Sequence, residues 1–456
     1  MTAAGPGAPG SGARAEPAGG VVDGVGRRAG RGRVGQHGAV APDLHLSPRA
    51  TPSGPAARPT RGRWLVATTE YAGLTPYTGG IGRHYASLLP ALVRQGAAVD
   101  LLVLADGPLL PDADLRGVRL AGHVPPPRAR VPALLARAAA VRSAYRAGGY
   151  DRVFLPEWAA LGAALPAGAP LLTNLATSTR LANEVAGFTP RSFGLRGGAV
   201  VAAQSRLEDR QVRRSAGLVP ISRAMQRWTE GAFGHLPPAR VVRNCIDVAH
   251  VREAAGRAGL PAGWPEGGAP VVLFLGRLER RKGVTDAFAA FAEVARRHPT
   301  ARLVLAGASG DRRFEPDRAA LLGALPADAR DRVTWLGHVD DDTLYRAVRE
   351  AAVTTCPSRW EGFGNAALEA KAIGAAVVVT TGSGYDDFCT DGEDSLMVPP
   401  ADPAALAGAV LRLLDDPVLA ATLGARAAAG AERWTADPVA ADLLDAADEL
   451  LGAPRG

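Results

Sequence analysis

One pattern occurs twice in this chain, and it narrows the fold more than any other feature. A short apolar run leads into a turn, then into a segment of helical period, then into a second apolar run. The first copy starts at residue 63 with RWLVATTE, passes through the glycine-bearing loop YAGLTPYTGG and the helical stretch GRHYASLLPALVRQG, and reaches AVDLLVLA at residue 98. The second starts at residue 271 with VVLFLG, passes through RLERRKG and VTDAFAAFAEVARRH, and reaches RLVLAG at residue 302. Each copy reads as a βαβ unit, in which parallel strands are joined by a crossover helix. Further apolar runs at 151–157, 169–175 and 217–222 extend the first unit, and runs at 332–337, 352–358 and 375–381 extend the second. The expected fold class is therefore α/β, with two Rossmann-like doubly wound domains facing each other across a cleft.

The Pro/Gly-rich stretch GRAGLPAGWPEGGAP from residue 256 marks the change from one unit to the next. The expected division is a first domain over 62–245, a second over 246–430 and a helical end over 431–456. Residues 1–61 are rich in Gly, Ala, Pro and Arg without apolar periodicity, the composition of a disordered tail.

Charge has to be located before it is interpreted. The chain of 456 residues carries a net charge of +7, which suggests nucleic acid. Residues 1–63 hold nine arginines against three acids, so +6 of that charge belongs to the tail and its junction. The folded part is close to neutral, and no zinc-finger or RNA-binding signature accompanies it, so no nucleic-acid partner is expected. Cys245, Cys356 and Cys389 lack CxxC spacing and read as small buried hydrophobes in a reducing compartment. No apolar stretch approaches the roughly 20 residues of a membrane span, and no signal-peptide core is evident. The expected location is cytoplasmic. Lysine is almost absent, with Lys282 and Lys371 the only two, so each invites a question.

The chemistry concentrates in RWEGFGNAALEAKAIG, from residue 359. Two glutamates, Glu361 and Glu369, bracket a Gly-Phe-Gly-Asn turn where a helix begins. The first helical turn leaves backbone N–H groups unpaired, and the macrodipole adds positive charge there. Glycine lets an anion approach that backbone closely, so the turn suits a phosphate. The flanking carboxylates suit hydroxyl groups instead. A ligand with phosphates in the middle and hydroxyl-rich ends, a nucleoside diphosphate sugar, fits both demands. Glu369 would hold the ribose and Glu361 the sugar. In RLERRKG, Arg277 can grip a diphosphate bidentately and Lys282 adds a point charge, so the pair can neutralise a departing diphosphate without a metal. Arg280 and Arg281 read as solvated. The turn GGIG at residues 79–82 offers amides to the same phosphate from the other domain.

With these pieces in place, the chain from about 64 to 450 resembles glycosyltransferase family 4, the group 1 glycosyltransferases of GT-B fold. GGIGRH, VPIS, VRNCID, FLGRLERRKG, PSRWEGFGNAALEAKAIG, TGSG and DGEDSLMVPPAD occur in the family's order. The resemblance implies a retaining hexosyltransferase that moves a sugar from a nucleoside diphosphate sugar to a hydroxyl acceptor. It needs no metal or other cofactor, and the leaving phosphate oxygen takes the acceptor's proton. It implies that Arg277 and Lys282 bind the donor diphosphate. Gly362, Phe363 and Gly364 would offer backbone contacts, Gly80 would touch the phosphate, and Glu361 and Glu369 would keep the roles above. The first domain becomes the acceptor side, the second the donor side, and the last helix is expected to cross back to the first domain.

Three departures stand out. Ala176 occupies a position where many members carry a histidine, Cys245 replaces the glycine of Asn-Gly-Ile-Asp, and Asp386 or Asp387 stands where a glutamate is usual. Glu157 in LPEW is a candidate acceptor contact. The basic stretch RARVPALLARAAAVRSAYR from residue 128 is a candidate amphipathic helix for a membrane surface holding lipid-linked acceptors. Two alternatives stay open: a sugar-nucleotide epimerase on the same fold, and a catalytically degenerate nucleotide-sugar-binding partner protein.

Overall fold

The computed structural model describes residues 60–454 apart from 77, 112 and 308–315. The tail expected over 1–61 therefore lies, up to residue 59, outside the described residues.

Two six-stranded sheets form the frame. The first contains β1 (Arg63–Thr68), β2 (Ala98–Val103), β3 (Arg119–His123), β4 (Arg152–Pro156), β5 (Leu171–Leu175) and β6 (Gly217–Pro220) in the order 3-2-1-4-5-6. The second contains β7 (Val271–Leu275), β8 (Arg302–Ala306), β9 (Val333–Gly337), β10 (Val353–Cys356), β11 (Val377–Thr380) and β12 (Leu396–Val398) in the order 12-11-10-7-8-9. Every strand pair is parallel. The sequence reading missed β3 and β12. Both are short edge strands, and an edge strand needs less of the continuous apolar run that marks a strand buried on both faces.

The first sheet is flanked by α1 (Gly80–Arg94), α2 (Arg130–Gly148), α3 (Thr179–Val185), α4 (Gly194–Arg214) and α5 (Arg223–Phe233). Next come α6 (Val248–Arg257), α7 (Val284–Arg297), α8 (Arg318–Gly323), α9 (Asp341–Glu350) and α10 (Asn365–Ile373) around the second sheet. The chain ends in α11 (Pro403–Asp415), α12 (Pro417–Gly430) and α13 (Ala436–Leu451). Val439, Leu443 and Leu444 of α13 share one core with Leu88, Leu89 and Leu92 of α1. The last helix is therefore part of the first sheet's layer. Burying side chains of this size is worth about 1.5–3 kcal/mol each.

The membrane-helix candidate is α2. Its apolar residues Leu134, Ala140, Val141 and Ala144 are spent on the first sheet's core. Leu135, Arg142 and Arg146 remain on the outside. Among the described residues no helix is long and apolar enough to cross a membrane.

Candidate functional site: two helix starts facing across a cleft

In each sheet the strand order reverses around the first strand, between β1 and β4 and again between β7 and β10. Loops leaving the carboxyl ends of such neighbours diverge and leave a crevice between them. The loop carrying Arg277 and Lys282 follows β7, and the loop carrying Glu361 follows β10.

Gly364 ends the second of these loops with φ +106°, a conformation that side chains rarely adopt, and a Cβ there would run into the Tyr385 ring. No side chain caps the start of α10. Phe363 is almost fully buried, and its ring packs on Phe388 and Trp434, so only its backbone serves the site. The Gly362 carbonyl accepts a hydrogen bond from Ser222 Oγ at 2.6 Å, which explains the serine of VPIS.

Glu361 accepts from Lys282 Nζ and from Ser358 Oγ, the latter at 3.2 Å. Burial pushes the Glu361 carboxyl up, but Lys282 and Arg281 outweigh it and hold the group below its ordinary value. Burial pulls the Lys282 ammonium down, Arg281 and Arg277 add to that, and Glu361 opposes them. An ammonium held in this way gains by meeting more negative charge.

The basic loop has an organiser that sequence reasoning missed. Glu279 is buried and faces two arginines, Arg277 Nε at 3.1 Å and Arg281 Nε at 2.6 Å. The expectation that Arg281 is solvated is therefore corrected. The loop tightens into a short helical turn over Arg280–Lys282, which carries Arg281 inward onto Glu279 and leaves Arg280 exposed. Gly283 has φ +76°, and a Cβ there would meet the Pro357 carbonyl, so glycine lets the two loops touch. Arg359 joins them further, bonding Asp286 at 3.1 and 3.2 Å while its amide donates to the Arg281 carbonyl.

Glu369 lies inside α10, 5% exposed, and burial pushes its carboxyl up to about 7 against the pull of Arg83. Arg83 belongs to α1. Its Nη1 lies 3.6 Å from Glu369 and its Nη2 lies 2.7 Å from Asp341, so the contact crosses from one domain to the other. The sequence carried one signal for Arg83: a cation in the first turn of a helix opposes the macrodipole and calls for a partner.

The GGIG turn requires a correction. Glu70 Oε2 accepts from the Gly79 amide and Oε1 from the Gly82 amide, both at 2.9 Å. Two of the amides expected to serve a phosphate are already held by a carboxylate from the loop after β1. Gly80 remains against the site. Its carbonyl accepts from Asn365 Nδ2 at 3.2 Å, and Asn365 Oδ1 accepts from Asn244 Nδ2 at 3.0 Å.

Glu157 is also corrected. It is 2% exposed, and its Oε2 accepts the Ala176 amide at 2.7 Å, so it holds the loop carrying Ala176 instead of meeting an acceptor. Burial pushes its carboxyl up to about 8. Glu208 of α4 works alongside it, accepting the amides of Ala159 at 3.1 Å and Thr179 at 2.7 Å. Neither of the two aspartates is free: Asp387 pairs with Arg243 at 2.7 Å, and Asp386 accepts the Gly382 amide of its own loop. Cys245 packs on His84, whose ring burial pushes down to about 4. All three cysteines are buried and free.

Two facing six-stranded parallel sheets, with the candidate site between their loops, are the GT-B arrangement. The model of glycosyltransferase family 4 matches residues 78–250 and that of glycosyl transferases group 1 matches residues 269–416. D-inositol 3-phosphate glycosyltransferase of Acidothermus cellulolyticus is 34% identical over 83% of this chain and 87% of its own. Glycogen synthase of Mycobacterium tuberculosis is also 34% identical, but over 54% of this chain and 56% of its own, so the match spans about half of that relative. Among solved structures, sucrose-phosphate synthase from Thermosynechococcus elongatus superposes with a TM-score of 0.66 at 22% identity, over 84% of this chain and 97% of its own. Anabaena HepE, solved with UDP-glucose, superposes at 0.59 and 18% identity over 84% and 98%. The chain belongs to the group 1, family 4 glycosyltransferases.

Proposed function

We propose that the chain is a retaining, metal-independent hexosyltransferase that moves a sugar from a nucleoside diphosphate sugar to a hydroxyl acceptor. The observation that carries this is the arrangement around α10: an uncapped helix start flanked by the Lys282–Glu361 pair on one side and buried Glu369 on the other. Glu369 accepts the ribose hydroxyls and Glu361 those of the sugar. The 362–364 backbone and the helix start meet the diphosphate, with Arg277 and Lys282 supplying the positive charge that a metal would otherwise bring.

In the transfer, the bond between the anomeric carbon and the diphosphate oxygen breaks as the acceptor oxygen bonds that carbon from the same face. The acceptor's proton goes to the departing phosphate oxygen. Arg277 and Lys282 stabilise the negative charge that grows there. Because the acceptor oxygen enters on the face that the diphosphate leaves, the anomeric configuration is retained without a protein nucleophile. The HepE complex with UDP-glucose favours a donor of this chemical class. A cytoplasmic site is part of this reading, with a lipid-linked acceptor at the inner membrane face as its extension; the outward arginines of α2 favour an anionic lipid surface.

The first experiment is metal-free calorimetric titration with UDP, GDP, ADP and TDP. Binding of one, lost in Glu369→Ala, followed by NMR of product configuration in an acceptor screen, supports the reading. Binding without turnover leaves the degenerate partner, and turnover of the donor sugar into its epimer without an acceptor leaves the epimerase. An inverted product overturns the retaining step, and activity abolished by a chelator and restored by a divalent metal overturns metal independence.

A further inference from the structure

Glu369 and Arg83 sit on helices of different domains, yet their charged atoms are 3.6 Å apart. Each element around Glu369 sends polar groups toward it or past it. From α9 come Asp341 and Tyr345, with Asp342 behind them. From α6, His250 faces Asp342 at 3.5 Å and Arg252 bonds the Ala372 carbonyl at 2.9 Å. From β10 comes the buried thiol of Cys356. On α10 itself Lys371 turns away to Asp394 and the Phe388 carbonyl. Among these groups Arg83 brings the positive charge to Glu369. It is anchored by Asp341 at 2.7 Å, and its Nε is buried without a hydrogen-bond partner.

We propose that Arg83 is a positioning residue for the donor nucleoside, supplying from the opposite domain the counter-charge that keeps Glu369 a carboxylate able to accept both ribose hydroxyls. The proposal rests on the ribose role given to Glu369 above. A buried carboxyl near 7 is poised at the edge of ionisation, and loss of a neighbouring cation raises it further.

The test is titration of the full chain with UDP, GDP, ADP and TDP in turn between about pH 6 and pH 9, around the Glu369 midpoint. The proteins are wild type, Arg83→Gln, Arg83→Lys and Glu369→Ala. Wild-type affinity is expected to rise with pH through about 7. Arg83→Gln is expected to bind about fivefold more weakly at pH 7, because a rise of about one pKa unit from about 7 cuts the ionised fraction of Glu369 from about a half to about a tenth, with the gap closing by about pH 9. Arg83→Lys is expected to restore most of the loss. An equal loss at every pH, or no loss, overturns the proposal while leaving the donor site intact. Binding by no nucleotide in wild type, or undiminished binding in Glu369→Ala, overturns the donor-site reading itself and the proposal with it.

Discussion

Each sheet has a glycine turn that opens a helix at the cleft, and the two helix starts are used in opposite ways. At α1, Glu70 reaches the Gly79 and Gly82 amides, so an internal carboxylate fills the place of an anion. At α10, no side chain caps the helix, and the nearby charges, Lys282 and Glu361, hold each other at the edge of the turn. A filled helix start is a structural cap, and an uncapped one between charged loops leaves its amides open to a ligand. Glycine permits both, because it removes steric bulk without saying which anion arrives. The two lysines repeat the lesson. Lys282 is partly exposed beside the α10 turn, whereas Lys371 is buried against Asp394 and pins the 388–395 loop to α10.

The largest effect that would sharpen this contrast is on the α10 side. Lys282→Ala is expected to lower kcat by about 10²–10³-fold, roughly the 3–4 kcal/mol of a lost transition-state contact. Steady-state rates at saturating donor read it, and an unchanged kcat would return Lys282 to a structural role. Glu369→Ala comes next. It removes two charge-assisted hydrogen bonds and should weaken nucleoside diphosphate binding by about 10–100-fold, on the order of 1.5–3 kcal/mol. Glu70→Ala probes the other turn. Melting should show a loss of about 0.5–2 kcal/mol of stability with nucleotide affinity nearly unchanged, as for a lost helix cap. A clear gain in affinity would instead mean that Glu70 competes with a phosphate, and the contrast between the turns would fail. The smallest effect belongs to Arg280→Ala, expected to change neither rate nor affinity by more than about twofold because its side chain is in water. Arg281 no longer serves as that control, because Glu279 holds it.

Local periodicity made much of this molecule legible. The strands β1, β2, β7, β8 and β10 and the helices between them are spelled by contiguous residues, and so is the α10 turn with Glu361 and Glu369 on either side. Groups that act at a distance were not legible. Glu70 reaches amides 9 and 12 residues away, and Arg83 meets Glu369 across 286 positions of sequence. Glu157, named in sequence only as a candidate acceptor contact, is buried in the structure. The turn after it is held by Glu208 and Gln211 of α4, which accept the Ala159 and Gly162 amides from 49 residues away.

By itself the sequence determined the two βαβ units, the place of the glycine turns and the residue types gathered at the α10 start. Those features depend on backbone propensity and on side-chain spacing within a few turns, which neighbouring residues decide among themselves. Tertiary structure alone decided which amides already have an anion, which arginine crosses to Glu369, and which carboxyls are driven toward neutrality. Those outcomes depend on distance and desolvation between segments far apart in the chain, and a buried charge takes its character from whatever the fold brings beside it.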